Sequence, residues 1–213
     1  MPPAIPSAIP EPVTAWLALA GLGAYHGLNP GMGWLFAVAL GLQRRDPRAV
    51  LLALPPIALG HAAAVGAIAL VLAGGRFWLE LSTLRLVTAC TLLAFGFYKC
   101  FTYYRHPRWV GMRVGPRELV LWSALMGTAH GAGLMAAPFL VEAAWCGARH
   151  GTSGLPLGVA LHSGAMFLSM ATIAWLVYRR LDLGLLRRVW INLDLLWAVA
   201  LLASGALALA QAL

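Results

Sequence analysis

The stretch AYHGLNPGMGW, residues 24–34, decides how this chain reads. It places His26, Asn29 and Pro30 among the glycines Gly27, Gly31 and Gly33, inside a run that is otherwise apolar enough to cross a membrane. Hydrocarbon penalises polar side chains and unpaired backbone groups alike. A break of this kind is tolerated at membrane depth only where it is buried in protein or lines a cavity.

The composition around it is that of a membrane protein. Of 213 residues, 61% are hydrophobic and 10% charged, and mean hydropathy is +0.80. Soluble domains hold about 45–50% apolar and about 25% charged residues. A helix needs about 20 mostly apolar residues to cross about 30 Å of hydrocarbon. Six segments meet that length: 12–42, 49–74, 84–104, 118–147, 155–178 and 189–212. The first and fourth are too long for simple spans and hold Gly/Pro clusters, so they read as broken helices. Residues 1–13 carry five prolines and no basic stretch before an apolar core, which predicts an extended lead-in and not a cleavable signal peptide. Cys90, Cys100 and Cys146 form no C-x-x-C pair and read as small core residues.

The net charge of +8 is a matter of position. Twelve of the fifteen basic residues fall in 43–48, 99–117 and 179–188, all on one side of a six-span chain. The other side keeps Arg76, Arg85 and Arg149. The positive-inside rule then puts both termini outside, in a bacterial inner membrane, and removes the case for nucleic acid.

The chain also repeats itself. AYHGLNPGMGW in span one resembles TAHGAGLMAAP, residues 128–138, in span four, and IALGHAAAVGAIALVL (57–72) in span two resembles GVALHSGAMFLSMATIAWLV (158–177) in span five. His26 and His130 are 104 residues apart, His61 and His162 101. Two matches at nearly one offset predict repeats over 12–104 and 118–212. Three spans per half is an odd number, so the second half enters the membrane from the opposite side. The expected fold is a single all-α membrane domain over 1–213: six helices as two inverted three-helix repeats, with helices 1 and 4 broken. Gly27, Pro30, Gly31 and Gly33 would open span one, and Gly131, Gly133 and Pro138 span four.

Helix rise puts His26 about 21 Å deep from the outer end, His61 and His130 each about 18 Å above the inner end, and His162 about 10 Å below the outer end. All four fall within about 10 Å of one level in a core of about 30 Å. Neutral imidazole is the commonest transition-metal ligand and also carries protons near pH 7. Four histidines, His26, His61, His130 and His162, are therefore candidate ligands for Ni, Co, Zn or Cu. The lack of a nearby carboxylate argues against Mg or Ca. His26 and His130, with Asn29 and Ser163 beside two of the histidines, are the candidate substrate contacts. Each histidine also has a plain reading as a buried residue bonded to a neighbouring helix. Repetition beside helix breaks favours function for His26 and His130, with His61 and His162 close behind. His106 and His150 read as solvated loop residues. Tyr103, Tyr104 and Trp109 read as interfacial anchors, Asp194 and Asn192 as partners of a nearby arginine, and Glu142 as a candidate vestibule residue.

Two inverted three-span halves with His-Gly and Pro motifs in spans one and four resemble the lysine-exporter (LysE) superfamily, and within it the nickel/cobalt exporters. In HGLNPGMGW, His26 matches the first histidine of their His-x4-Asp-His motif, although no aspartate or second histidine follows at the matching places, and Gly60-His61 is similar to their later Gly-His. The resemblance implies efflux of a cation with no resident cofactor, the metal ion being the substrate. Proton coupling is an expectation from the histidines. The superfamily's thiol–disulfide carriers need cysteines at the breaks of spans one and four, and neither break has one.

Two other readings stay open. One is export of a small organic solute, amino-acid-like, or of an anion, with the histidines as proton carriers. The other, an enzyme, rests on GTSG (151–154), an intramembrane serine-protease-like pattern. His162, nine residues from Ser153, would lie about 13 Å away along one axis, too far to activate it. The pattern reads as a loop turn, and no enzymatic activity is expected. The expected partners are the lipid bilayer and the transported ion or solute, with a homo-oligomer left open.

Overall fold

The computed structural model describes residues 11–75, 77–101, 115–149, 154–180 and 193–212. Residues 1–10, Arg76, Tyr103, Tyr104, His106, Trp109, His150, Ser153 and Asn192 lie outside them, as do the side chains of Cys146 and Asp194. The described residues form helices joined by short connections, with no strand among them, and the chain is an all-α, multi-pass membrane protein.

The elements follow from local chemistry. Helix α1 (Glu11–Leu28) ends where Asn29, which precedes a proline, takes an extended conformation (φ −71°, ψ 120°). Contact with the proline ring disfavours helical geometry at that position. The Asn29 Oδ1 accepts the Gly31 N–H at 2.9 Å and caps a single 3₁₀ turn, Pro30–Met32. Gly33 leaves that turn at φ +120°, a region closed to side chains, and α2 (Trp34–Arg44) follows. Helix α3 (Pro47–Gly75) runs through Pro55 and Pro56. Helix α4 (Leu81–Phe101) precedes the second broken span, α5 (Pro116–Ala129) and α6 (Ala132–Arg149). There Gly131 sits at φ +71°, and the axes of α5 and α6 differ by 73°. Helices α7 (Gly154–Arg180) and α8 (Leu193–Ala212) complete the chain.

Helices α3, α4, α7 and Leu195–Ala212 of α8 are each long and apolar enough to span a bilayer, and bent α5–α6 is so as a pair. The apolar part of α1, Val13–Leu28, is shorter and precedes the break. The breaks fall where the sequence predicts them, but fewer residues make them. Gly27 stays inside α1, and Gly133 and Pro138 stay inside α6. Gly27 and Gly133 serve close packing instead: a Cβ on Gly133 would come within 2.6 Å of Ile68.

The helices pair α1 with α7, α3 with α5 and α4 with α8, while α3 and α7 also meet each other. Glycine permits the closest approaches. A Cβ on Gly60 would lie 2.2 Å from the Val120 carbonyl oxygen, so only a hydrogen lets α3 settle on α5 at that point. One apolar core gathers Met32, Ile57, Met166, Met170, Trp197 and Leu201, and a second gathers Leu19, Val65, Ala136 and Leu140. The outward faces are apolar as well: Leu52, Leu70 and Leu168 are exposed by 72%, 75% and 67%. A soluble surface rarely carries so continuous an apolar cover, whereas lipid tails require it.

Cys90 and Cys100 depart from the core reading, because both are exposed on α4. That helix buries the face formed by Leu84, Thr88, Ala89, Leu92 and Gly96, which turns the cysteines outward. Glu142 on α6 forms an ion pair with Arg85 on α4, and Arg85 also reaches the Gln211 carbonyl of α8 at 3.4 Å.

Candidate metal centre

Three helices deliver one histidine each to the middle of the molecule: His26 from α1, His61 from α3 and His162 from α7. Each is completely buried. One ring nitrogen from each lies within 4.8 Å of the other two.

The approach of α1 to α7 makes this possible. Gly23 and Gly27 stand four residues apart, hence on one face of α1. A Cβ on Gly23 would lie 2.1 Å from the His162 carbonyl oxygen, and one on Gly27 would lie 2.0 Å from Ser169 Oγ and 2.3 Å from the Met166 carbonyl oxygen. Backbone therefore packs on backbone on either side of His26. Ser169 Oγ donates to the Ala24 carbonyl at 3.0 Å and fixes the two helices in register.

Hydrogen bonds orient two of the rings. His26 Nδ1 is 2.6 Å from the Leu22 carbonyl oxygen, and His162 Nδ1 is 3.1 Å from the Leu19 carbonyl oxygen. A carbonyl only accepts, so each Nδ1 carries the proton and each Nε2 presents a lone pair. His26 Nε2 is buried without a hydrogen-bond partner. His162 Nε2 faces His61 Nε2 at 3.4 Å, and His61 Nδ1 is also buried without a partner. Whichever nitrogen of His61 holds its proton, at least one buried polar atom of that ring goes unpaired, a cost of about 1–3 kcal/mol. A cation at the focus of the three rings removes that cost by using the lone pairs. Metal–imidazole bonds of about 2.0–2.1 Å place two ligands of one tetrahedral ion about 3.3–3.4 Å apart. The His61–His162 separation of 3.4 Å has that value, and the three ligand nitrogens all lie within 4.8 Å of one another.

His130 is not part of this group. It caps the end of α5, where its Nδ1 donates to the Met126 carbonyl at 2.9 Å. Trp197 of α8 touches both histidines, its ring edge-on to His26 at 4.7 Å and to His130 at 5.6 Å between centroids. The indole N–H donates to the His130 carbonyl, and Tyr25 stacks on the indole at 5.4 Å. Trp34 does the same at the other break, donating to the Leu28 carbonyl at 3.0 Å. At each break an indole thus satisfies one carbonyl at the C-terminal end of the preceding helix, α1 or α5.

Asn29 shares the His130 side. The position of a Cβ on Gly31 would be 3.2 Å from Asn29 Oδ1 and 3.8 Å from His130 Nε2. Ser163 follows His162 on α7, with its Oγ buried and without a partner. The structure thus brings together three of the four histidines and places His130 and Asn29 at the neighbouring break. Trp197, Ser169 and the Leu19 and Leu22 carbonyls were not legible as site residues. A tryptophan in an apolar helix was the one available signal, and it reads equally as an interfacial anchor.

Among the described residues the buried polar side chains are His26, Asn29, His61, Thr88, Ser123, His130, His162 and Ser204, with no carboxylate among them. No family model, no curated protein and no solved structure matches the chain.

Proposed function

We propose that this membrane protein is a six-span secondary transporter that exports a transition-metal cation through the triad of His26, His61 and His162. The observation that carries the reading is three buried imidazoles from three helices, with two inward-facing lone pairs set by backbone hydrogen bonds. A structural role for the three rings would favour paired nitrogens, whereas His26 Nε2 and His61 Nδ1 have no partner.

The packing supports an inverted repeat. Helix α1 of the first half lies on α7 of the second, and α5 of the second half lies on α3 of the first. His26 and His61 belong to one half, His162 to the other. Rocking of one half against the other would expose the triad to the two sides in turn, with the ion bound at the fixed centre. The broken helices end beside this centre, where irregular backbone is shielded from lipid. Export as the direction, with both termini outside, follows the lysine-exporter likeness and the distribution of arginines.

Calorimetric titration of the purified protein with Ni, Co, Zn and Cu salts, beside counterflow of the same ions in proteoliposomes, tests the reading. Binding should be saturable and lost in His26→Ala, His61→Ala and His162→Ala, while His130→Ala keeps affinity within about threefold, under 1 kcal/mol. Flux should fall with binding. A parent protein that neither binds nor moves metal would refute the proposal and turn attention to organic solutes.

A further inference from the structure

The triad reading leaves open which metal the site suits, and the chemistry of its walls narrows that choice. No described acidic residue is buried, and the described cysteines, Cys90 and Cys100, face outward. The site offers only neutral donors. The cost of taking an ion from water into a low-dielectric interior grows with the square of its charge, so a divalent ion pays about four times the penalty of a monovalent one of equal size. Without a carboxylate or thiolate, nothing in the described site offsets that difference.

The second observation concerns sulfur. All five described methionines, Met32, Met126, Met135, Met166 and Met170, are buried, none above 3% exposure. Met166 and Met170 follow His162 at intervals of four along α7, and all three lie on its buried face. Each step is about 6 Å along the axis, and the row leads toward the Arg179–Arg180 end of the helix. Met32, in the 3₁₀ turn at the α1 break, belongs to the same core cluster as Met166 and Met170. Methionine often serves merely as adaptable core filling. Thioethers are also the donors, with imidazole, that select copper(I) over harder divalent ions. Three ligands at about 2.0 Å around a trigonal ion stand about 3.5 Å apart, close to the 3.4 Å between His61 and His162 Nε2.

We infer that the cargo is a soft monovalent cation, copper(I), held by the three imidazoles and passed along the thioethers of Met166 and Met170. This rests on the transporter reading above and names the ion class for its site. No electron or proton transfer is involved; the ion exchanges one set of neutral donors for another.

The test uses the full-length protein in detergent under anaerobic conditions. Copper(I) is titrated in competition with a chromophoric chelator, silver(I) serves as a redox-inert stand-in, and Zn, Ni and Co are titrated alongside. The expected result is one saturable site for copper(I) and silver(I), with the divalent ions at least 100-fold weaker. Divalent binding of equal or greater strength overturns this inference and leaves the metal-transporter reading standing. Absence of binding by every ion overturns both. The methionine row is tested separately by a Met166→Leu/Met170→Leu variant, which keeps side-chain volume and the packing. It should retain silver(I) affinity at the triad and lose at least tenfold in silver(I) flux into proteoliposomes. Unchanged flux in that variant removes the thioethers from the path.

Discussion

The close contact of α1 with α7 makes Gly27→Ala a sharp probe of how the triad is held. The new Cβ would sit 2.3 Å from the Met166 carbonyl oxygen and 2.0 Å from Ser169 Oγ. Ser169 can rotate away; the carbonyl, part of the α7 backbone, cannot. Ordinary contact is about 3.5 Å, so the helices must separate locally by about 1.2 Å. His26 is the adjoining residue, and its Nε2 retreats with the helix. Ligand positions tolerate about 0.2 Å around a metal, so one of three ligands is effectively lost. The expected loss in affinity is about 100-fold, or about 2.7 kcal/mol. Overpacking costs a further 1–3 kcal/mol or about that in stability, offset by about 1 kcal/mol because alanine favours the helix. Calorimetry and thermal unfolding in detergent read the two effects separately. Gly21→Ala is the control, since a Cβ there meets nothing within 4 Å; it should bind as the parent does and unfold at an equal or slightly higher temperature. A Gly27→Ala protein with parental affinity would refute the account of how the triad is positioned. Adding Ser169→Ala to Gly27→Ala should restore little, because the backbone clash persists.

Other expectations concern the supports around the site. Trp197→Phe keeps an aromatic ring beside Tyr25 and His26 but removes the donor to the His130 carbonyl; unfolding should become easier by about 1–2 kcal/mol, seen as a lower Tm, and an unchanged Tm would remove the indole from the role of closing α5. Arg85→Ala leaves Glu142 unpaired in a partly buried position. The expected cost is about 1–3 kcal/mol, between exposed and buried pairs. The double change Arg85→Met/Glu142→Leu should recover most of it in denaturant or thermal unfolding, and a double variant as unstable as the single one would assign the pair a role other than charge compensation.

The sequence alone carried the membrane character, the positions of the helices and the site of both breaks. These are local or one-dimensional properties: apolar run length, the proline after Asn29, and the glycines that take positive φ at Gly33 and Gly131. It also marked out His26, His61 and His162, because a polar ring inside an apolar run stands out wherever the run ends up. What periodicity could not supply is which helix faces touch. His130 shares its His-Gly motif with His26, yet the triad forms without it, since α1 packs on α7 and Trp197 of α8 stands against both rings. Cys90 and Cys100 point outward for the same reason: α4 turns the face of Leu84, Thr88, Ala89, Leu92 and Gly96 inward. Helix rise along the chain fixes depth. Rotation about each axis, and the partner each glycine face accepts, are set only when all the helices pack at once.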